Sequence, residues 1–467
     1  MIGYFNAKKQ SEDEYLLTND MGFYKYVNSE TYDKLCNNKI DKEDEDYEDL
    51  IEKGFIVNIS IEEYIKKYSG FIRSMKSYCM GGTSLHIFAV TNMCNLDCIY
   101  CQAHSRNSHL DGKMTEEIGK CAIDIAMNSK NDNLTFEFQG GEPLLNFNVI
   151  KSMIEYSKEK NKILNKHIEY TIVTNLTCLN DDILQFLLDN NVSICTSLDG
   201  TREIHNYNRP YKLSKIGSFD DVIDKIAYLK SKGVNVGAIQ TTSKKSIQNP
   251  KEIIDMYLKI GINHIFLRPL TPLGMADDSW KKVGYTVEEY INFYKEAFQY
   301  IMELNKNGTF FVETHAAYFL CKILENYSQN YMELRSPCGA TLGQMSYYYD
   351  GNIFTCDEGR MLYEMGDSSF LLGNVYNDSY MDMIGSDICK TLCKSSIIES
   401  LPKCNNCVYQ PYCGTCPVVN YASDKDLFSK NPKDFRCKSY SAIMDLLFEI
   451  IHRNDKQEMD ILYSWIR

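Results

Sequence analysis

The sequence contains no uninterrupted apolar run near the roughly 18 residues that cross a bilayer. Its opening stretch, MIGYFNAKKQSEDEYLL, also lacks the apolar core of a secretory signal. A cytoplasmic protein with no membrane partner is expected. Positive charge is in short supply: 50 Lys and Arg stand against 63 Asp and Glu, a formal net charge of −13. Affinity for a phosphate backbone comes from dense Lys and Arg, so no nucleic-acid partner is expected. What the chain has in abundance is cysteine, 18 in 467 residues. A reducing cytoplasm excludes a disulfide framework, which leaves metal ligation or apolar packing. Cys36, Cys79, Cys121, Cys178 and Cys195 stand alone, mostly in apolar runs, and read as small core residues.

The length allows two or three domains. Residues 14–58 read as a small unit: the alternating run EYLLTNDMGFYKYVN with a turn at Asn-Asp-Met-Gly, helices over SETYDKLCNN and DYEDLIEKG, and a strand FIVNI. This is a winged-helix-like module, with a boundary near residue 80. From residue 85 the beat changes to LHIFAVT, NLTFEFQ, IEYTIVT, VSICTSL, VNVGAIQ and INHIFLRPL, six strands separated by five amphipathic helices. That alternation calls for a parallel sheet with right-handed crossovers, an α/β partial barrel over 81–335 that includes two linking helices near 286–306 and 314–327. Functional residues in such a sheet gather at the C-terminal strand ends. Residues 336–467 form a cysteine-rich, loop-rich unit closed by an apolar helix, YSAIMDLLFEIIHR.

The first strand ends in TNMCNLDCIYCQA, which places Cys94, Cys98 and Cys101 in a C-x3-C-x2-C loop. Three thiolates can hold three irons of a cubane and leave the fourth iron open to a chelating amine and carboxylate. A zinc knuckle normally uses four ligands in paired C-x2-C spacing. The loop, Tyr100 before its last cysteine, and FEFQGGEP one βα unit later resemble the radical S-adenosylmethionine (SAM) superfamily. That resemblance implies a partial (β/α)6 barrel, a SAM-binding [4Fe-4S] cluster on the three cysteines, Tyr100 near the adenine, and Gly140, Gly141 and Glu142 at the methionine end. Polar residues at the other strand ends, Thr174, Asn175, Ser197, Asp199, Gln240 and Arg268, fall where the family contacts SAM or substrate. His205 and Arg209 resemble an H-D-x-x-R segment of peptide-modifying members, with Asn206 in place of the Asp.

The second cluster supplies Cys338, Cys356, Cys404, Cys407, Cys413, Cys416 and Cys437. Seven thiolates could serve zinc, yet seven approaches the eight of two cubanes. The pattern resembles the SPASM domain, departing from it only where Cys413 and Cys416 are separated by two residues instead of three. The resemblance implies two auxiliary [4Fe-4S] clusters, an outer one on Cys404, Cys407, Cys413 and Cys437 and an inner one on Cys338, Cys356 and Cys416. Cys321 is a candidate fourth inner ligand, although its place on an apolar helical face (AAYFLCKIL) favours core packing. Cys389 and Cys393 sit at i, i+4 and share a helical face.

The expected function is therefore that of a radical SAM oxidoreductase that abstracts hydrogen from a ribosomally made precursor peptide. The resemblance extends to maturases of His-Xaa-Ser-type systems, with the N-terminal module gripping a leader by strand addition. A flavodoxin or ferredoxin is the expected electron donor. Formylglycine-type sulfatase maturation and a non-catalytic zinc adaptor are the alternatives. Ten cysteines in the two patterns predict close to three cubanes. Changing Cys94, Cys98 and Cys101 together to Ala is expected to remove about a third of the iron and all SAM cleavage; cleavage that survives the triple change would refute the assignment.

Overall fold

The structure, a computed structural model, describes residues 1–103, 111–325, 334–428 and 434–466. Its N-terminal sheet has three antiparallel strands in the order β1 (Asn6–Ser11), β2 (Glu14–Thr18) and β3 (Tyr24–Asn28). The β2–β3 turn is tied by Asn19, whose side-chain oxygen accepts the Met21 and Phe23 N–H groups at 3.2 Å. Gly22 follows at φ +77, a left-handed conformation that glycine adopts without steric cost. Helices Ser29–Cys36 and Tyr47–Glu52 come next as expected. FIVNI does not form a strand: Ile56 makes a single bridge to Ile2, and Phe55 and Ile56 bury their side chains instead. The helix Ile61–Met75 then leads to the barrel, started by a capping box between Ser60 and Glu63.

The barrel strands are β4 (Leu85–Ala89), β5 (Asn133–Gln139), β6 (His167–Val173), β7 (Val192–Ser197) and β8 (Val236–Thr241). The sixth expected strand divides in two. β9 (His264–Ile265) pairs with β11 (Val312–Glu313), while β10 (Leu267–Arg268) completes the barrel sheet beside β8. The division falls at Phe266, whose carbonyl accepts the Arg268 N–H at 2.8 Å. Parallel pairing joins β4 through β8 in sequence order, and helices such as Phe147–Leu164 cover the outer face with Ile150, Met153 and Ile154 fully buried.

The sheet does not stop at β4. β12 (Gln344–Tyr348) lies parallel to it, from Gln344 opposite Leu85 to Tyr348 opposite Ala89. β13 (Asn352–Phe354) and β14 (Leu371–Asn374) extend it antiparallel, giving the order β10-β8-β7-β6-β5-β4-β12-β13-β14. Tyr347 stacks on Phe88 at 4.9 Å, and its hydroxyl meets His86 Nδ1 at 3.0 Å. The C-terminal helix is longer than YSAIMDLLFEIIHR: it spans Phe435–Arg453, carries Cys437 in its first turn, and is followed by a helix Lys456–Ser464. The N-terminal sheet packs on it, Tyr24 against Phe448 at 5.4 Å and the Tyr26 hydroxyl donating to the Phe448 carbonyl at 2.8 Å.

Two of the lone cysteines are not core residues. Cys36 and Cys79 are exposed, and Cys121, Cys178 and Cys195 are only partly buried. Both exposed residues sit at helix ends, where one side of the last turn faces water.

Tyr347 is fully buried at the join between β12 and β4. Tyr347→Ala is expected to cost about 3 kcal/mol or more, the range for deleting a buried aromatic ring. Urea unfolding measures it, and a loss below about 1 kcal/mol would mean that the join contributes little.

Candidate metal and cofactor centre

The cysteine loop leaves β4 at Thr91 and is clamped by backbone bonds on its outer side. Ile99 N–H donates to the Asn208 carbonyl at 3.0 Å, Asp97 N–H to Pro210 at 2.8 Å, and the Lys212 N–H to Asn95 at 2.8 Å. Within the loop, the Leu96 N–H points at Cys94 Sγ at 3.4 Å, and Arg209 Nη1 lies 3.9 Å from Cys98 Sγ. Burial pushes the Cys98 thiol up to about 12, and the Arg209 guanidinium opposes that shift. Burial also raises Cys94, with Cys98 the next contributor and Cys101 a further one. Three thiols that repel one another's ionised forms in a buried loop need positive charge to become thiolates together, and a cluster of irons supplies it. Among the described residues no three His, Cys, Asp or Glu side chains converge on one metal ion. A cubane asks for no such convergence, because it takes each thiolate at a separate iron corner.

Gly140 and Gly141 end β5 against the start of this loop. A Cβ on Gly140, at φ +151, would stand 2.1 Å from the Thr91 carbonyl oxygen, and one on Gly141 would stand 2.2 Å from that of Met93. The close approach here is of strand end to cysteine loop, sealed by Gly141 N–H to Thr91 and Glu142 N–H to Met93, both 2.8 Å. Glu142 is fully buried and accepts the Thr174 hydroxyl at 2.6 Å, the Asn175 N–H at 2.8 Å and the Leu144 N–H at 3.0 Å. Burial raises its carboxyl to about 7 against those three bonds. A carboxylate has about four acceptor sites, so about one is left for a ligand's ammonium. Asn175 reaches on to the loop, its Nδ2 2.9 Å from Asn95 Oδ1 and 3.9 Å from Cys94 Sγ.

Asp199 is buried at the end of β7 and gathers the neighbouring elements: it accepts the Tyr100 hydroxyl, Asn208 Nδ2 at 2.9 Å and Arg209 Nε at 3.2 Å. Burial alone would raise its carboxyl, but Arg209 heads the groups that pull it below its ordinary range. His205 is held neutral by burial at a pKa of about 4, its Nε2 3.1 Å from the Ser218 hydroxyl. Asn206, the departure from the H-D-x-x-R pattern, accepts the Phe219 N–H at 2.9 Å and so serves the next helix.

Strand alternation sorts the remaining positions. Ser197 pairs in register with Ile239, and Arg268 with Thr241; all four belong to the less buried face that lines the barrel. Gln240 falls on the opposite, buried face with Val236 and Ala238, its Oε1 taking the Thr242 hydroxyl at 3.0 Å. Sequence reading missed Glu137 and Asp357. Glu137 shares the lining face of β5 with Gln139, and Asp357 is paired with the buried Arg360 at 2.8 Å. The signal for Glu137 was present: in LTFEFQ it alternates with Leu134, Phe136 and Phe138, all buried on the helix side.

The C-terminal cysteines fall into two sets. Burial raises Cys413, followed by Cys407, Cys437 and Cys404, and Cys437 is pushed up to about 12 by burial with Cys407 and Cys404 contributing. Cys416 shares a hydrogen bond with Cys338, and Cys356 is raised by burial, then by Glu358 and Cys416. Cys321 is buried on the helix Thr314–Leu324, and Cys389 and Cys393 hydrogen-bond to each other on the helix Asp387–Ser396.

Burial lifts Glu137 from the ordinary 4.5 to about 7; nearby Asp357 adds to the rise, while Arg268 and Thr171 oppose it. The folded chain thus holds this proton more tightly than the unfolded chain, so the associated stability is complete below pH 4.5 and lost as pH rises to about 7. Glu137→Gln is expected to flatten part of the fall in thermal stability between pH 5 and 7, Glu142 supplying another part. An unaltered pH slope in the variant would show that Glu137 does not titrate there.

The radical SAM superfamily's family model matches residues 88–258. An uncharacterized protein of Methanocaldococcus jannaschii is 31% identical over 253 residues, 52% of this chain and 86% of its own length. A cysteine-type anaerobic sulfatase-maturating enzyme of Clostridium novyi is 26% identical over 78% of this chain and 97% of its own length. Among solved structures, anSMEcpe with bound AdoMet and Kp18Cys peptide superposes with a TM-score of 0.67 at 20% identity, covering 82% of this chain and 99% of that one. Streptococcus suis SuiB bound to precursor peptide SuiA gives 0.53 at 15% identity, over 92% and 99%. A cysteine loop at the end of the first barrel strand, a glycine pair locked against it and these similarities converge on one assignment: the chain is an enzyme of the radical SAM superfamily.

Proposed function

We propose that this enzyme modifies a residue of a ribosomally made precursor peptide. The observation that carries the reading is the likeness to SuiB, which a precursor peptide occupies and which extends over 92% of this chain. Cys94, Cys98 and Cys101 would hold the barrel cluster, which together with bound SAM would supply the radical chemistry that removes a substrate hydrogen. Cys404, Cys407, Cys413 and Cys437 hold an outer auxiliary cluster, and Cys338, Cys356 and Cys416 an inner one. Arg209 offsets thiolate charge at Cys98, Glu142 offers its remaining acceptor site to the methionine ammonium, and Tyr100 is fixed by Asp199. Glu137, Gln139, Arg268 and Thr241 line the chamber that receives the peptide.

Residues 1–80 are assigned to leader recognition, 81–335 to radical generation and 336–467 to the auxiliary clusters. Support for the first is the strand β1, an edge of its sheet whose first half packs inward and whose last residues, Lys9 to Ser11, face solvent. A flavodoxin or ferredoxin supplies the electron. The second reading, maturation of a sulfatase, is favoured by the clostridial relative, which matches along 97% of its length.

A leader-dependent peptide maturase and a sulfatase-maturing enzyme diverge when residues 14–58 are deleted, which removes β2 and so takes from β1 the strand it pairs with. For the first, dithionite-driven SAM cleavage is expected to persist while modification of the full-length precursor peptide is lost. Equal leader affinity in intact and truncated protein would place recognition elsewhere. Loss of dithionite-driven cleavage would make the unit structural, consistent with its packing on Phe448.

A further inference from the structure

Although the chain carries a net charge of −13, the segments that clamp the cysteine loop from outside are rich in lysine. One is the turn after Pro210. Its backbone runs beside residues 95–99 and its tip presents Lys212 and Lys215, with Leu213 96% and Ile216 68% exposed. Lys215 reaches back to Asp97 at 2.6 Å, one residue from Cys98. The other is 275–283, joined to the loop by the Met275 N–H on the Cys101 carbonyl and the Ser279 hydroxyl on the Ile99 carbonyl, both 2.8 Å. It exposes Lys281 and Lys282. Lys244 and Lys245 adjoin it through the Lys244 N–H to the Val283 carbonyl at 2.8 Å. Lys245 and Lys282 lie 5.0 and 5.4 Å from the centre of the Tyr207 ring, itself 39% exposed.

The carboxylates among these segments are Asp97, Asp221, Asp277 and Asp278. The flanking helices add Glu203 and the Arg202–Asp220 pair, whose charges offset each other. The two segments meet at Ile99, which bonds to Asn208 of one and Ser279 of the other, and together they expose six lysines, with Tyr207 beside Lys245 and Lys282 and apolar Leu213 and Ile216 at the tip of the first. Such a basic face steers an acidic protein to the surface without adding much affinity by itself. The place matters as much as the charge. Electron transfer weakens steeply with distance, and these segments touch the backbone that carries the barrel thiols.

We propose that this face docks an acidic one-electron carrier protein with a flavin or iron–sulfur centre. The carrier loses one electron and the cluster held by Cys94, Cys98 and Cys101 gains it, with no bond made or broken at the interface. The inference rests on the assignment of those three cysteines and not on the peptide reading.

The test uses the reconstituted full chain without peptide, counts 5′-deoxyadenosine, and compares reduced flavodoxin with dithionite as donor. Lys212, Lys244, Lys245, Lys281 and Lys282 are changed together to Glu, and in a second variant to Arg; Lys215 is kept for its bond to Asp97. With flavodoxin, the Glu variant is expected to lose at least about tenfold both in rate and in calorimetric affinity for oxidised flavodoxin and the Arg variant to keep both, while dithionite-driven cleavage is unchanged in both. In the unaltered protein the flavodoxin-driven rate is expected to fall as salt is added. A rate indifferent to salt overturns the proposal, as does an undiminished flavodoxin-driven rate in the Glu variant. A Glu variant that loses only affinity for an acidic peptide overturns it too, in favour of substrate docking. Absence of dithionite-driven cleavage in the unaltered protein would instead refute the cluster assignment.

Discussion

Everything at the candidate centre depends on two missing side chains. At Gly140 and Gly141 a strand end meets the backbone of Thr91 to Met93 so closely that no Cβ fits. The bonds made there hold Glu142 in place, Glu142 takes hold of Thr174 and Asn175 at the end of the next strand, and Asn175 returns to Cys94. The cysteine loop is thereby fixed from the lumen side by β5 and β6, and from outside by residues 208–212. Thiols that would repel one another once ionised are kept in register by a frame made largely of backbone, which does not relax as flexible side chains do.

Charge is distributed to match. Asp199, Arg209 and Tyr100 form a buried set beside Cys98, in which a guanidinium stands between a carboxylate and a thiol. Burying an ion pair is costly unless its remaining hydrogen-bonding sites are filled, and Asn208 fills one on Asp199. His205, neutral by burial, adds no competing positive charge.

How much of this was legible follows from periodicity. The strands β4 to β8 and their helices announce themselves, because period-two and period-3.6 patterns alternate cleanly there. β1 was invisible: NAKKQS is polar and shows no apolar alternation. β12 was invisible for the opposite reason, since QMSYY is buried at all five positions and sits among cysteines that suggest loop. FIVNI carried a strand composition, but tertiary packing used Phe55 and Ile56 as plugs. INHIFLRPL gave no sign of dividing at Phe266. The cysteine loop and the glycine pair stand out in the sequence; the company each residue keeps does not, and the depth of Asp199 or the hidden face of Gln240 needed three dimensions.

The parallel join of β12 to β4 has a mechanical consequence. Strand pairing is quantised: a slip by one residue shifts a strand by about 3.3 Å and turns every side chain to the other face. Cys338 lies six residues before β12 and Cys356 eight residues after it, while Cys94 lies five residues after β4. The span from Cys338 and Cys356 to Cys94 is therefore ruled by a ladder with fixed rungs, and it can change only by steps too large to pass unnoticed. A hinge between two bodies would have let that gap drift; a shared sheet makes it a constant of the molecule.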